Sequence, residues 1–164
     1  MKYRYVIDAS VLIDFFHSNI LKVLFRLNAE WMISDFAMEE LIQLDKKTLC
    51  NLGLQVMEMK KQDIQNIILI GKRYPALSLY DKTHLVLAHR ESALLITGDQ
   101  HLRQAAEKEG ITVHGTLWLL DELVSSCLLT PKQAAYALQE MINKGSYLPA
   151  AECQKRIKLW LGKK

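Results

Sequence analysis

The sequence predicts an α/β protein in which a mainly parallel sheet is wrapped by helices. Two observations carry that reading. Short apolar runs of strand length alternate with longer segments of helical spacing, an order that sets strands side by side with helices across them. Two of the runs, Tyr5-Val6-Ile7 and Leu94-Leu95-Ile96, are apolar throughout, as strands buried on both faces are, and each meets an acid within three residues.

Taken in order, Tyr3 to Ile7 reads as the first strand. Ser10 to His17 and Asn19 to Leu27 read as one broken helix or two short ones, interrupted at Ser18-Asn19. Trp31-Met32-Ile33 is a second strand, and Ser34 or Asp35 can cap a helix from Phe36 to Lys46. Asn51 and Gly53 mark a turn before a third strand, Leu54 to Met59. Ile64, Ile67 and Ile68 give Gln62 to Ile70 helical spacing, with Gly71 as its stop and Pro75 closing the connection. A helix from about Tyr80 to Arg90, a strand Leu94 to Thr97 and a helix Gln100 to Glu109 follow. Ile111 to Val113 is the last strand, and Thr116 to Ser125 the next helix. Thr130-Pro131-Lys132-Gln133 combines a cap, Pro at the first helical position and Gln at the third, opening a helix to about Asn143. A final helix spans about Pro149 to Trp160.

At 164 residues, half of them hydrophobic, the chain suits one domain, 1–164, with a core over about 1–124 and a helical extension over about 125–164. A net charge of +3 permits a nucleic-acid substrate and falls short of a dedicated DNA-binding module. Cys50, Cys127 and Cys153 form no paired spacing, which suits a reducing cytoplasm and excludes a zinc-knuckle pattern. With no leader-like pattern and no apolar run of membrane-spanning length, a cytoplasmic protein without a membrane partner is expected.

Four acids organise the functional reading: Asp8, Glu40, Asp81 and Asp99. Asp8 and Asp99 follow strands whose ends point to the same edge of a parallel sheet. That edge is where open α/β sheets hold their ligands. Asp81 opens a helix at the rim of the packed layer. At 100° per residue, Glu40 falls at the margin of an apolar arc while Glu39 faces water. Carboxylates brought together repel one another, and a hard divalent cation such as Mg²⁺ or Mn²⁺ resolves the repulsion with oxygen ligands. A cation so held can activate water against a phosphodiester. Ser10 and Thr97, beside two of the acids, could fix a water or a phosphate oxygen. One by one, Asp8, Asp81 and Asp99 are also readable as helix caps, and Glu40 as a solvated side chain. His84, one turn from Asp81, reads as a rim or partly buried histidine able to touch a substrate. Arg103, one turn beyond Asp99, is placed to meet a phosphate.

Four stretches together resemble the PIN-domain ribonucleases, and within them the VapC-like toxin branch. They are Val6-Ile7-Asp8-Ala9-Ser10-Val11-Leu12-Ile13-Asp14, Ile33-Ser34 with Glu40-Leu41, Leu79-Tyr80-Asp81 with Leu85-Val86-Leu87-Ala88, and Leu94-Leu95-Ile96-Thr97-Gly98-Asp99. The resemblance spans roughly Arg4 to Leu120. It implies a three-layer α/β/α fold and Mg²⁺- or Mn²⁺-dependent cleavage of RNA by metal-activated water. It makes Asp8, Glu40, Asp81 and Asp99 the acidic positions, supported by Ser10 and Thr97. It further implies a homodimer and a cognate antitoxin partner. The chain departs from compact toxins in its tail, and Gly115-Thr116-Leu117-Trp118-Leu119-Leu120 with the later apolar positions is similar to a longer-tailed PIN subgroup. A PIN-fold RNA- or protein-binding protein with little catalysis is the alternative. A phosphatase on another α/β fold would need an acid where Ser10 stands.

Overall fold

The computed structural model describes residues 2–162. Five parallel strands form one sheet: β1 (Tyr3–Ile7), β2 (Ala29–Ser34), β3 (Leu54–Met57), β4 (Leu94–Ile96) and β5 (Val113–His114), in the spatial order β3-β2-β1-β4-β5. Nine α-helices connect or follow the strands among the described residues: α1 (Ala9–His17), α2 (Leu21–Leu24), α3 (Lys46–Leu52), α4 (Lys61–Arg73), α5 (Leu79–Arg90), α6 (Gln100–Lys108), α7 (Thr116–Ser125), α8 (Pro131–Asn143) and α9 (Ala150–Trp160).

The twofold alternation of strand side chains divides the core between the two faces of the sheet. Tyr5 and Ile7 of β1, Trp31 and Ile33 of β2 and Ile96 of β4 pack with Leu12, Phe15, Leu120 and Leu123. Val6, Met32 and Leu95 point the other way, onto Ile67, Leu85, Leu87 and Leu102. Helices α1, α2, α7 and α8 therefore cover one face and α4, α5 and α6 the other, which makes the three-layer α/β/α arrangement. The tail joins the first of these layers, with Ala134, Leu138, Met141 and Cys153 buried in the cluster that holds Phe15.

Strand order reverses at β1. The helix that follows β1 crosses to one face of the sheet, while the helix that follows β4 crosses to the other. The two chain segments leaving β1 and β4 thus diverge and open a crevice at the carboxyl ends of these neighbours. Asp8 N–H still bonds Ile96 C=O (2.9 Å) at the lip of that crevice.

Two expectations are corrected. The segment Phe36 to Lys46 is not one helix: a 3₁₀ turn over Ala37–Glu40 stops at Leu41, and α3 starts afresh at Lys46. Asp45 takes an extended backbone, and its carboxylate accepts from Thr48 N–H (2.8 Å) and Thr48 hydroxyl (2.9 Å), a cap that starts a new helix in place of continuing the old one. Gly71 does not end α4, which runs through it to Arg73. The stop comes from Pro75, because the residue before a proline is pushed out of the α region, and Tyr74 sits at φ −130°, ψ 70°. Beyond these, β5 lies two residues later than the run Ile111 to Val113 suggests at its start, at Val113–His114. No described helix is long and apolar enough to cross a membrane.

Candidate metal centre

Asp8 leaves β1 with an extended backbone and caps α1, one carboxylate oxygen accepting from Ser10 N–H at 3.2 Å. Its other oxygen accepts from Thr97 hydroxyl at 2.7 Å. The cap reading and the site reading therefore both hold for this residue. Thr97 is fully buried past the end of β4, and its Oγ1 also accepts from Asp99 N–H at 3.1 Å. A single hydroxyl thus ties the ends of the two strands and fixes the Asp8 carboxylate.

Glu40 is set by the turn that replaces the expected helix. Ser34 Oγ accepts from Ala37 N–H (3.0 Å) and shares a hydrogen bond with Thr83 Oγ1 (2.8 Å), which pins the 3₁₀ turn to α5. Asp35 accepts from Phe36 N–H (3.0 Å) and Met59 N–H (3.2 Å) and anchors the turn to the end of β3. Buried Ala37 and Leu41 flank Glu40 on the inner side. Glu40 is exposed overall, yet its carboxyl end is partly enclosed. That enclosure first, and then the charges of Asp8 and Asp81, push its pKa up to about 7.

His84 completes the cluster. It is fully buried on α5, and Nε2 stands 3.8 Å from Asp8 Oδ1, too far for a hydrogen bond. Burial lowers its pKa against the pull of Asp8 and Asp81, which favours the neutral ring. Asp8, Glu40 and His84 each offer a ligand atom, and these atoms all lie within 4.8 Å of one another. His84 cannot be a surface contact for RNA, and that expectation is corrected: every residue from Thr83 to Ala88 is buried, so α5 has no solvent face there.

The other acids stand outside this set. Asp81 is at the third position of α5, its carboxylate accepting from Ser78 N–H (2.9 Å) in a capping box with the Ser78 hydroxyl, and its charge reaches Glu40 and His84. Asp99 is exposed and caps α6, Oδ1 accepting from Leu102 N–H at 2.7 Å. Its link to Asp8 runs through Thr97. Ser10 is exposed and contributes its backbone N–H to Asp8.

Beside Thr97 opens a cleft of about 730 Å³ between α6, the start of α7 and the segment before α9. Arg103 lines it, with its guanidinium donating to the carbonyls of Thr97 and Val113, both at 3.4 Å. His114 and Trp118 stack in its wall with centroids 4.0 Å apart.

Sequence reasoning missed Asp14. Its half-buried carboxylate accepts from Thr116 hydroxyl (3.3 Å) and from Ser146 hydroxyl, tying α1 to α7 and to the tail. Burial raises its pKa, and the two hydroxyls oppose that rise. The signal lay within the first motif, whose last residue it is.

Residues 4–161 match the family model DUF3368, described as a PIN domain. No curated protein matches the chain. Among solved structures, a PilT N-terminus domain protein from the hyperthermophilic archaeon Sulfolobus solfataricus P2 is similar at 17% identity and a TM-score of 0.49, covering 73% of this chain and 92% of that one.

Proposed function

The chain belongs to the PIN-domain family, and from that premise we propose that it is a metal-dependent endoribonuclease, the toxin of a type II toxin–antitoxin pair. The observation that carries the reading is the convergence of Asp8, Glu40 and His84 in the crevice at the strand ends. The residues fit a divalent cation. Two carboxylates and an imidazole face one another, and a cation would offset both the enclosure of Glu40, the larger cause of its raised pKa, and its repulsion by Asp8 and Asp81.

When bound, Mg²⁺ or Mn²⁺ would supply an acidified water and offset charge on the phosphodiester. Asp8 is the anchoring carboxylate, held in one orientation by Thr97 hydroxyl and Ser10 N–H. Glu40 would be the second carboxylate on the cation, its charge offset by the ion. Asp81 and Asp99 extend the acidic rim, where they would add carboxylate oxygens for the cation or its waters. Arg103 and the stacked His114–Trp118 pair offer a phosphate contact and a flat surface for a base in the adjoining cleft. A homodimer and a small antitoxin from a neighbouring gene are the proposed assembly and partner, in the cytoplasm.

Incubation of single-stranded RNA with the protein tests the activity. Cleavage is expected with Mg²⁺ or Mn²⁺, and none with chelator or with Asp8→Asn at unchanged circular dichroism. Cleavage that survives both would overturn the site, and a folded protein that binds RNA without cutting it would favour a binding module. For the toxin role, induced expression should arrest growth and co-expression of the neighbour should relieve it. Harmless expression removes that role and leaves the nuclease.

A further inference from the structure

Both ring nitrogens of His84 are buried without a hydrogen-bond partner. Native interiors seldom leave a buried polar nitrogen in that condition, and each case calls for a partner outside the ordinary side-chain network. His84 sits on the sheet-facing helix among Thr83, Leu85, Val86 and Leu87, all buried, a position where an apolar residue would pack at no such cost. One edge of the ring faces the carboxylates: Nε2 is 3.8 Å from Asp8 Oδ1. Two donor atoms that share one ion, each at about 2.1 Å from it, can stand up to roughly 4.2 Å apart. The gap is too long for a hydrogen bond and within the reach of a shared cation.

Resting on the metal site proposed above, we propose that His84 Nε2 is a nitrogen ligand of the cation held by Asp8 and Glu40. The site then selects a first-row transition cation over Mg²⁺. The selectivity follows from donor chemistry. Mg²⁺ favours oxygen donors and keeps its waters, whereas imidazole nitrogen suits the later first-row ions best, and Mn²⁺ stands at the weak end of that series. An imidazole in its neutral form has one ring nitrogen with a free lone pair, and Nε2 is the one placed near Asp8 Oδ1. No other histidine joins the cluster among the described residues, so any nitrogen found on the ion belongs to His84.

The test uses the full chain, stripped by chelator and loaded with Mn²⁺. Pulsed electron paramagnetic resonance should show nitrogen modulation on bound Mn²⁺ in the wild type and none in His84→Gln. Calorimetry with Mn²⁺ alone and Mg²⁺ alone should show a preference for Mn²⁺ that falls by about tenfold or more in that variant. If His84→Gln does not fold, the wild-type spectrum alone decides. Mn²⁺ bound in the wild type without nitrogen modulation, or a preference unchanged by His84→Gln, overturns the inference and leaves the metal site intact. Failure of the wild type to bind either ion removes the site itself, and the inference with it.

Discussion

Glu40→Gln should make the chelated protein more stable at alkaline pH. The Glu40 carboxyl moves from its ordinary 4.5 to about 7 because folding encloses it beside Asp8 and Asp81. Below about pH 4.5 it is protonated in folded and unfolded chains alike and contributes nothing to the pH dependence. Between about 4.5 and 7 the unfolded chain has released the proton that the folded one keeps, so stability falls as pH rises. Above about 7 the penalty is complete. Taken at face value the displacement is worth about 3 kcal/mol, but Glu40 is exposed on its outer side. Solvent screening reduces the figure to about 1 kcal/mol. Gln cannot ionise, so at about pH 8 in chelator the variant should melt about 2–4 °C above the wild type. The two should converge near pH 5, and saturating Mn²⁺ should reverse their order, because only the wild type keeps the full ligand set. Thermal and urea unfolding across that pH range, with chelator and with Mn²⁺, measure this. A variant less stable than the wild type at alkaline pH in chelator, or a difference that ignores pH, would refute the crowding of acids at Glu40.

Thr97→Val removes the hydroxyl that donates to Asp8 in a buried setting and accepts from Asp99 N–H in a partly buried one. Urea unfolding should show a loss of about 1–3 kcal/mol, and calorimetry a Mn²⁺ affinity lower by about tenfold, with Thr97→Ser restoring both. Truncation after Ser126 should abolish cooperative unfolding. It strips Leu138 and Met141, each fully buried against the first layer, at about 2–5 kcal/mol apiece, and releases Ser146 from Asp14. A truncated chain that still melts sharply would show the extension to be dispensable.

The parts of this fold legible in the sequence are those where local chemistry and tertiary packing agree. β4 and the buried end of β1, Tyr5-Val6-Ile7, are unbroken apolar runs, and α8 is capped at Thr130 by the reciprocal bonds its capping residues suggest, Thr130 N–H to Gln133 Oε1 and Gln133 N–H to Thr130 Oγ1. The segment after β2 misleads because its apolar residues keep a helical spacing through Leu44, while the chain leaves the 3₁₀ turn after Glu40 and starts a new helix only past the Asp45 cap. Glu40 nonetheless lies near Asp8 and His84, since the last residue of the turn and the inner margin of the expected helix point alike. His84 was singled out as a rim residue, and its full burial beside Asp8 went unread for a different reason. Helical periodicity locates a side chain only where one face meets water, and α5 is enclosed all round from Thr83 to Ala88. That unbroken buried stretch, polar only at Thr83 and His84, was the available signal. Asp81 and Asp99 were placed at the right edge of the sheet, but direction within the crevice depends on backbone amides. Each carboxylate turns toward a helix start, and no spacing rule reports that choice.

The claim at the centre is that water, acidified at the Asp8–Glu40–His84 pocket, breaks the phosphodiester. Cleavage of RNA in ¹⁸O-enriched water with Mn²⁺, read by mass spectrometry of the product ends, tests it most directly. The account predicts one ¹⁸O in the terminal phosphate of the wild-type product, and no product from Asp8→Asn. Ends carrying a 2′,3′-cyclic phosphate, or labelled product undiminished in Asp8→Asn, would contradict it.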